Sequence, residues 1–167
     1  MTCGDDNEFH EFSIKDKNVL RSGKIWTQEL NEGRSYKTDK IKSTASTLCD
    51  YPAHQQGRAI TFDKLHKHVA VSNNHGDISV FDYNDFSQRI CIMTAPREWV
   101  EVMKYSPDCQ HLAVGAHDDT IYIYLVSPQG KYSMFQKFDY IHSSAITAMD
   151  WSKDSKYLRA IDQAYCK

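Results

Sequence analysis

The chain lacks most of what would mark a membrane protein, a nucleic-acid binder or a catalyst. No stretch of its 167 residues approaches the roughly eighteen consecutive apolar residues that a membrane span needs. The opening MTCGDDNEFHEF is acidic and polar, where a secretory leader needs a basic start and an apolar run. With 20 Lys and Arg against 22 Asp and Glu, the net charge is −2, and no general phosphate-neutralising surface is expected. The 7 glycines form neither a G-x-x-x-x-G-K-[ST] nor a G-x-G-x-x-G phosphate loop, and no G-x-S-x-G elbow occurs. Cys3, Cys49, Cys91, Cys109 and Cys166 lie far apart and make no C-x-x-C pair. That pattern is expected of reduced thiols in an intracellular, cytoplasmic protein. Neither a membrane nor a nucleic acid is therefore expected as a partner, and no cofactor or metal is implied.

What the chain does contain is repetition. AITFDKLHKHVAVSNNHGDISVFDY and VMKYSPDCQHLAVGAHDDTIYIY superimpose without a gap. Phe62 falls on Tyr105, Ala70 on Ala113 and Phe81 on Tyr124, each pair 43 positions apart. A third copy, AITAMDWSKDSKYLRAIDQAY, sets Trp151 against Tyr105 and Leu158 against Leu112 at a spacing of 46. The opening TCGDDNEFHEFSI resembles AVGAHDDTIYIYLV, with Gly4 near Gly115 and Phe12 near Tyr124. A period in the low forties corresponds to one four-stranded unit per repeat.

Local patterns agree with that reading. AITFD, VEVMKYS and AITAMDWS suit a first strand; HVAVS, LAVGA and YLRAI a second; ISVFDY and IYIYLV a third. RICIMTA and YSMFQKFDY form a weaker, outermost fourth strand. No helix-length amphipathic pattern competes between residues 58 and 167. The predicted fold is all-β: antiparallel four-stranded meanders, the blades of an incomplete β-propeller.

The pattern resembles WD repeats of a degenerate kind, with Phe81-Asp82 and Tyr124 where the usual Trp-Asp stands and His142-Ser143 in place of Gly-His. EWVEVMKYSPDCQHLAVGAHDDTIYIY, HSSAITAMDWSKDSKYLRA, TLCDYPAHQQGRAI and RSGKI are similar to blades of the echinoderm microtubule-associated protein-like family, over about residues 2–166. That resemblance implies atypical tandem propellers associated with microtubules, often in cilia or mitotic arrays. It implies tubulin and microtubule-associated proteins as partners, with a cytoplasmic, cytoskeletal location that extends to the cilium and axoneme.

The organisation expected is a partial blade with a basic insertion and linker over 1–57, a blade over 58–95, a blade over 96–137 and the start of another over 138–167. Propellers generally close with about four to eight blades. This stretch is therefore expected to be part of a larger polypeptide or to be completed by another chain. On its own it is expected to aggregate or to unfold with poor cooperativity.

The residues that carry chemistry mostly fall at repeat corners. Asp77, Asp118 and Asp119 lie between the second and third strands, where a turn Asp bonds nearby backbone N–H groups. His117 sits beside them. His66 and His68 form H-x-H, with His75 seven residues on, but no Cys, Asp or Glu cluster completes a metal set. Cys109 stands where Gly usually follows Ser-Pro-Asp, a turn variation. First strands begin Ala59-Ile60-Thr61, Val100-Glu101-Val102 and Ala145-Ile146-Thr147, with Glu101 the one acid, so an enzyme built around a central channel is not expected. Trp99, Trp151, Tyr105 and Phe62 are expected between blades.

The stretch from Ile14 to His54 breaks the period. From Lys15 to Lys42 it carries eight basic residues against four acidic. It reads either as a solvated edge strand and loop or as a contact with an acidic surface such as tubulin's. Lys37, Lys40 and Lys42 are the candidate contacts. Trp26 and Tyr36 have no repeat partner and are the candidate anchors. The expected function is a non-catalytic scaffold that binds or stabilises microtubules, with a generic WD-repeat interaction platform as the alternative.

Overall fold

The computed structural model describes residues 2–3, 8–25 and 56–164. They form β1 (Thr2–Cys3), β2 (Glu8–Phe12), β3 (Val19–Lys24), β4 (Gly57–Asp63), β5 (His68–Asn73), β6 (Ile78–Asp82) and β7 (Arg89–Met93). The chain continues through β8 (Val100–Tyr105), β9 (His111–Ala116), β10 (Ile121–Val126), β11 (Tyr132–Phe138), β12 (Ile146–Trp151) and β13 (Leu158–Asp162). The sheets run β1-β2-β3, β4-β5-β6-β7, β8-β9-β10-β11 and β12-β13, each strand paired antiparallel with its neighbour in sequence. This is the all-β array of four-stranded blades that the repeat predicts, without a closed ring. Among the described residues no helix is long and apolar enough to cross a membrane. The stretch from Ile14 onward, which breaks the repeat, supplies β3, an edge strand on β2.

Bulges fix the repeat phase of every strand. The first–second pairs slip at Gly57/Ile60, Val100/Val102 and Ile146/Ala148. Pairs of third and fourth strands slip at Val80/Phe81 and Ile123/Tyr124, and β2-β3 slips likewise at Glu11/Phe12. Bulges bend a strand and increase its twist, so their recurrence gives each sheet the same curvature. By this marker β1-β2-β3 are the second to fourth strands of a unit, and β12-β13 the first and second.

The period-two alternation of a strand explains how the sheets stack. In β5, Ala70 faces a core shared with Val80 of β6 and with Val100, Val114 and Tyr122 of the next sheet. Its neighbours Val69 and Val71 face the opposite way, onto Phe9, Phe81 and Phe86. Ala113, Ile121 and Ile123 then meet Ile146 and Met149. Middle strands are covered on both faces, which is why β5 is buried along its whole length, while the outermost β11 leaves Met134 and Phe135 exposed. Small residues let the sheets approach. A Cβ on Gly115 would lie 2.7 Å from Ile146 Cγ2 and 2.9 Å from Val102 Cγ1.

The β8-β9 and β12-β13 turns share one construction. Ser106 Oγ donates to Asp108 Oδ1 at 2.6 Å and accepts the His111 N–H at 3.0 Å; Ser152 Oγ does the same with Asp154 and the Tyr157 N–H, at 2.6 and 2.9 Å. Cys109 and Ser155 follow at φ 58° and 61°, a left-handed backbone that favours glycine. The Cys109 substitution is thus a turn variation that carries a conformational cost.

Candidate functional site

Two groups of side chains gather residues from neighbouring sheets. The first lies at the rim where β4 and β8 begin. The Arg58 guanidinium sits 5.0 Å from the Trp99 ring centre, and Trp99 packs on His117 at 4.4 Å. His117 Nε2 is 3.8 Å from Glu101 Oε2. The first strands bring Arg58 and Glu101 to this rim, the β9-β10 turn brings His117, and Trp99 closes the preceding loop, its C=O accepting the His117 N–H at 3.0 Å. A planar aromatic between a guanidinium and an imidazole, both partly solvent-exposed, offers cation–π and hydrogen-bonding contacts to a polypeptide. Trp99 thus packs between neighbouring sheets at their rim, meeting Arg58 of β4 and His117 of the β9-β10 turn.

Asp118 anchors the same corner. Its Oδ2 accepts the Arg97 N–H at 3.0 Å and the Tyr122 hydroxyl at 2.5 Å, tying the loop before β8 to β10. Burial and the Asp118 carboxylate push the Tyr122 phenol up from its ordinary value. Asp119, at φ 60°, occupies the left-handed position of the turn. Asp77 holds the matching corner one unit earlier: its N–H donates to Asn73 Oδ1 at 2.9 Å, and its Oδ2 accepts from Asn73 Nδ2 at 3.3 Å. The Asp77 and Asp118 carboxylates are thus engaged at their corners.

The second group is buried at the opposite end of the strands. Asp63, with no solvent exposure, accepts the Leu65 and His66 N–H groups on Oδ1 at 2.8 and 3.1 Å and meets His66 Nδ1 with Oδ2 at 2.7 Å. Beside it His68 Nδ1 lies 2.9 Å from the Tyr132 hydroxyl, which in turn lies 2.8 Å from the Tyr105 hydroxyl. Gly130 makes room, since a Cβ there would fall 2.6 Å from His68 Cε1. Burial pushes the His68 imidazole down, an effect the Asp63 carboxylate partly opposes. The Tyr105 phenol is pushed well up by burial and by Tyr132. The two imidazoles of H-x-H therefore face different protein partners, with ring centres 5.6 Å apart. Among the described residues no cluster of three or more His, Cys, Asp or Glu could hold a metal ion.

A third tie joins the first two sheets. Arg21 donates to Glu11 Oε2 and to the Tyr83 C=O at 2.7 Å, and its guanidinium stacks over Tyr83 and Phe86. The Tyr83 hydroxyl donates to Glu11 Oε1 at 2.6 Å. Burial raises the Glu11 carboxyl, but these two partners outweigh it and hold it below its ordinary value. Sequence reasoning singled out neither this tie, Tyr132 nor Arg58, whose partners are distant in the chain, nor the role of Asp63, whose partners Leu65 and His66 belong to its own turn. Trp151 does reach across sheets, donating Nε1–H to the Lys104 C=O at 3.0 Å, whereas Phe62 is 38% exposed beside Tyr83.

Among the described residues the free thiols of Cys91 and Cys109 are packed away from solvent. Burial raises both Cys109 and Cys91, the latter to about 11, away from the thiolate form that redox chemistry needs. The candidate contacts Trp26, Tyr36, Lys37, Lys40 and Lys42 lie outside the described residues.

Meander sheets with these recurrent bulges and corner ties define a class: WD-repeat β-propeller blades. The model of the WD domain, G-beta repeat, matches residues 87–124, from β7 of one complete sheet into β10 of the next. The β-propeller domain of Myceliophthora thermophila Cps50 (Swd1) superimposes with a TM-score of 0.57 at 14% identity, over 65% of this chain and 37% of that one. The homologues narrow the class to echinoderm microtubule-associated protein-like proteins and a ciliary WD repeat protein. Human echinoderm microtubule-associated protein-like 4 is 39% identical over 66% of this chain, and the rat protein-like 1 is 44% identical over 54%. Ciliary WD repeat-containing protein ctxp80 of Euplotoides octocarinatus is 30% identical over 99% of it. The chain spans 22% of the length of the ciliary relative and 11% of the other two.

Proposed function

We propose that the chain is a non-catalytic scaffold segment that contributes to binding or stabilising microtubules in the cytoskeleton, with cilia and axonemes as its place of action. The observation that carries this reading is the likeness to echinoderm microtubule-associated protein-like proteins, which reaches 44% identity. The geometry supports it. Ionisable groups at the corners and in the buried relay are engaged in bonds between strands and sheets, which suits a rigid surface better than a reactive one. Within this reading 58–95 and 96–137 act as complete blades, flanked by partial ones at 1–57 and 138–167. Asp77, Asp118 and Asp119 act as structural corners.

Lys37, Lys40 and Lys42 supply positive charge toward the acidic tubulin surface, and Trp26 and Tyr36 anchor the contact. Reversing the three lysines to glutamate should weaken microtubule co-sedimentation roughly tenfold, the equivalent of about 1.4 kcal/mol. Unchanged co-sedimentation would remove the basic segment from the interface. The second reading, a protein-interaction platform that does not bind microtubules, is favoured by the exposed Arg58–Trp99–His117 rim. A Trp99→Ala variant that loses other protein partners but keeps microtubule binding would support it.

A further inference from the structure

The first strands β4, β8 and β12 lie side by side, and at equivalent repeat positions near their ends stand Phe62, Tyr105 and Trp151. The Tyr105 hydroxyl is committed to the buried relay. Phe62 and Trp151 line a groove of about 310 Å³, together with Pro107 and the charged side chains Lys64, Lys104 and Asp150. Its walls are strand ends and the turns that follow them, so the groove does not depend on an unpaired strand. Two bonds between sheets fix it: Trp151 Nε1–H donates to the Lys104 C=O at 3.0 Å, and the Asp108 N–H donates to Ser155 Oγ at 3.1 Å.

Charged groups at this end are unequally occupied. The turn carboxylates bond within their own turns. Asp63 accepts the Leu65 and His66 N–H groups, Asp108 the Ser106 hydroxyl and the Gln110 N–H, and Asp154 the Ser152 hydroxyl. Lys64 is exposed and, among the described residues, makes no ion pair. Lys104 Nζ lies 3.7 Å from Asp150 Oδ1, in a pair whose side chains are 49% and 75% exposed. Exposed pairs of this kind contribute little, so a partner's carboxylate can take the place of Asp150.

We propose that this groove docks an acidic polypeptide segment. An apolar side chain of the segment covers Phe62 and Trp151, and its neighbouring carboxylates meet Lys64 and Lys104. The aromatic walls supply contact area at a fixed position, and the two ammonium groups select negative charge. A basic segment is repelled by Lys64 and Lys104, and an uncharged apolar one leaves both without a partner. The inference does not rest on microtubule binding, because any partner that presents such a segment fits the groove.

The test is fluorescence anisotropy of a labelled glutamate-rich peptide bearing one phenylalanine, titrated with the purified chain. Saturable binding is expected at low salt and should weaken as salt rises. An oligoglutamate without the phenylalanine should bind less tightly. Lys64→Gln joined to Lys104→Gln should lower the affinity about tenfold while keeping the backbone carbonyl that Trp151 uses. Asp150→Asn removes the competing carboxylate and should raise it. All three side chains are exposed, so thermal melts of these variants should match wild type. No binding at low salt, unchanged affinity in the lysine double variant, or weaker binding by Asp150→Asn would each overturn the proposal. The peptide assay contains no microtubule, and the basic segment is tested by different lysines, so this inference and the proposed function fail separately.

Discussion

Replacing Gly115 with alanine isolates the close approach of neighbouring blades. In a strand interior, alanine is ordinarily favoured over glycine by about 0.5–1 kcal/mol, because glycine loses more backbone entropy on folding. The opposite sign is expected here. The added methyl carbon would sit 2.7 Å and 2.9 Å from Cγ2 and Cβ of Ile146 and 2.9 Å from Cγ1 of Val102. Favourable carbon–carbon separation begins at about 3.5 Å, so two neighbours in different sheets must each yield by several tenths of an ångström. Ile146 is fully buried against Met149, Ile121 and Ile123 and has no open side to move into. Overpacking of this kind costs about 1–3 kcal/mol. For a chain of this size about 2 kcal/mol lowers Tm by roughly 4–8 °C. Thermal melting followed by circular dichroism reads that shift, and amide exchange should show β12 loosening before β9. Ile146→Ala removes the clashing Cγ2. Alone it should cost about 2–5 kcal/mol, but added to Gly115→Ala it should cost less than the sum, by about 0.5–3 kcal/mol. A Gly115→Ala protein as stable as wild type, or strictly additive losses, would refute the packing described.

Two further outcomes follow from the buried relay. Asp63→Ala strips the acceptor from two N–H groups and one imidazole at a site closed to solvent, and should lower stability by about 2–4 kcal/mol in urea titration. Asp85→Ala, in an exposed turn, should cost far less. For His68, burial places the folded-state value below the ordinary 6.5, so the unfolded chain takes up a proton first. Its contribution is fully present above pH 6.5 and is lost as pH falls through the interval down to the folded value. Stability should therefore decline below pH 6.5, and His68→Gln should flatten that decline; His75, also pushed down by burial, retains part of the slope. An unchanged slope in the variant would remove His68 from the relay.

The blades were legible because burial is periodic along the chain. β5 and β9, HVAVSN and HLAVGA, are each squeezed between two sheets, so their sequences repeat at a fixed spacing. The third strands echo for the same reason, with Phe81 and Tyr124 at equivalent buried positions. The outermost β7 and β11 face solvent, and their sequences carry a weaker signal. What local pattern could not show are the pairs that close between sheets. His68 and Tyr132 are 64 positions apart, Arg21 and the Tyr83 carbonyl 62, Glu11 and Tyr83 72. None has a spacing that one strand or turn would repeat. The sequence showed H-x-H without a cluster to complete a metal set, but not its partners: a carboxylate three residues earlier and a tyrosine from the next blade take the two Nδ1 atoms. Of the rim, the repeat located the His117 and Asp118 corner, while the stacking of Arg58 on Trp99 depends on two first strands lying side by side.

The most direct measurement is equilibrium co-sedimentation of the wild-type chain with assembled microtubules over a range of salt concentrations. A scaffold of the kind proposed should pellet with a saturable isotherm that weakens as ionic strength rises, because the basic segment faces an acidic surface. A chain that stays in the supernatant at every microtubule concentration and low salt would contradict it.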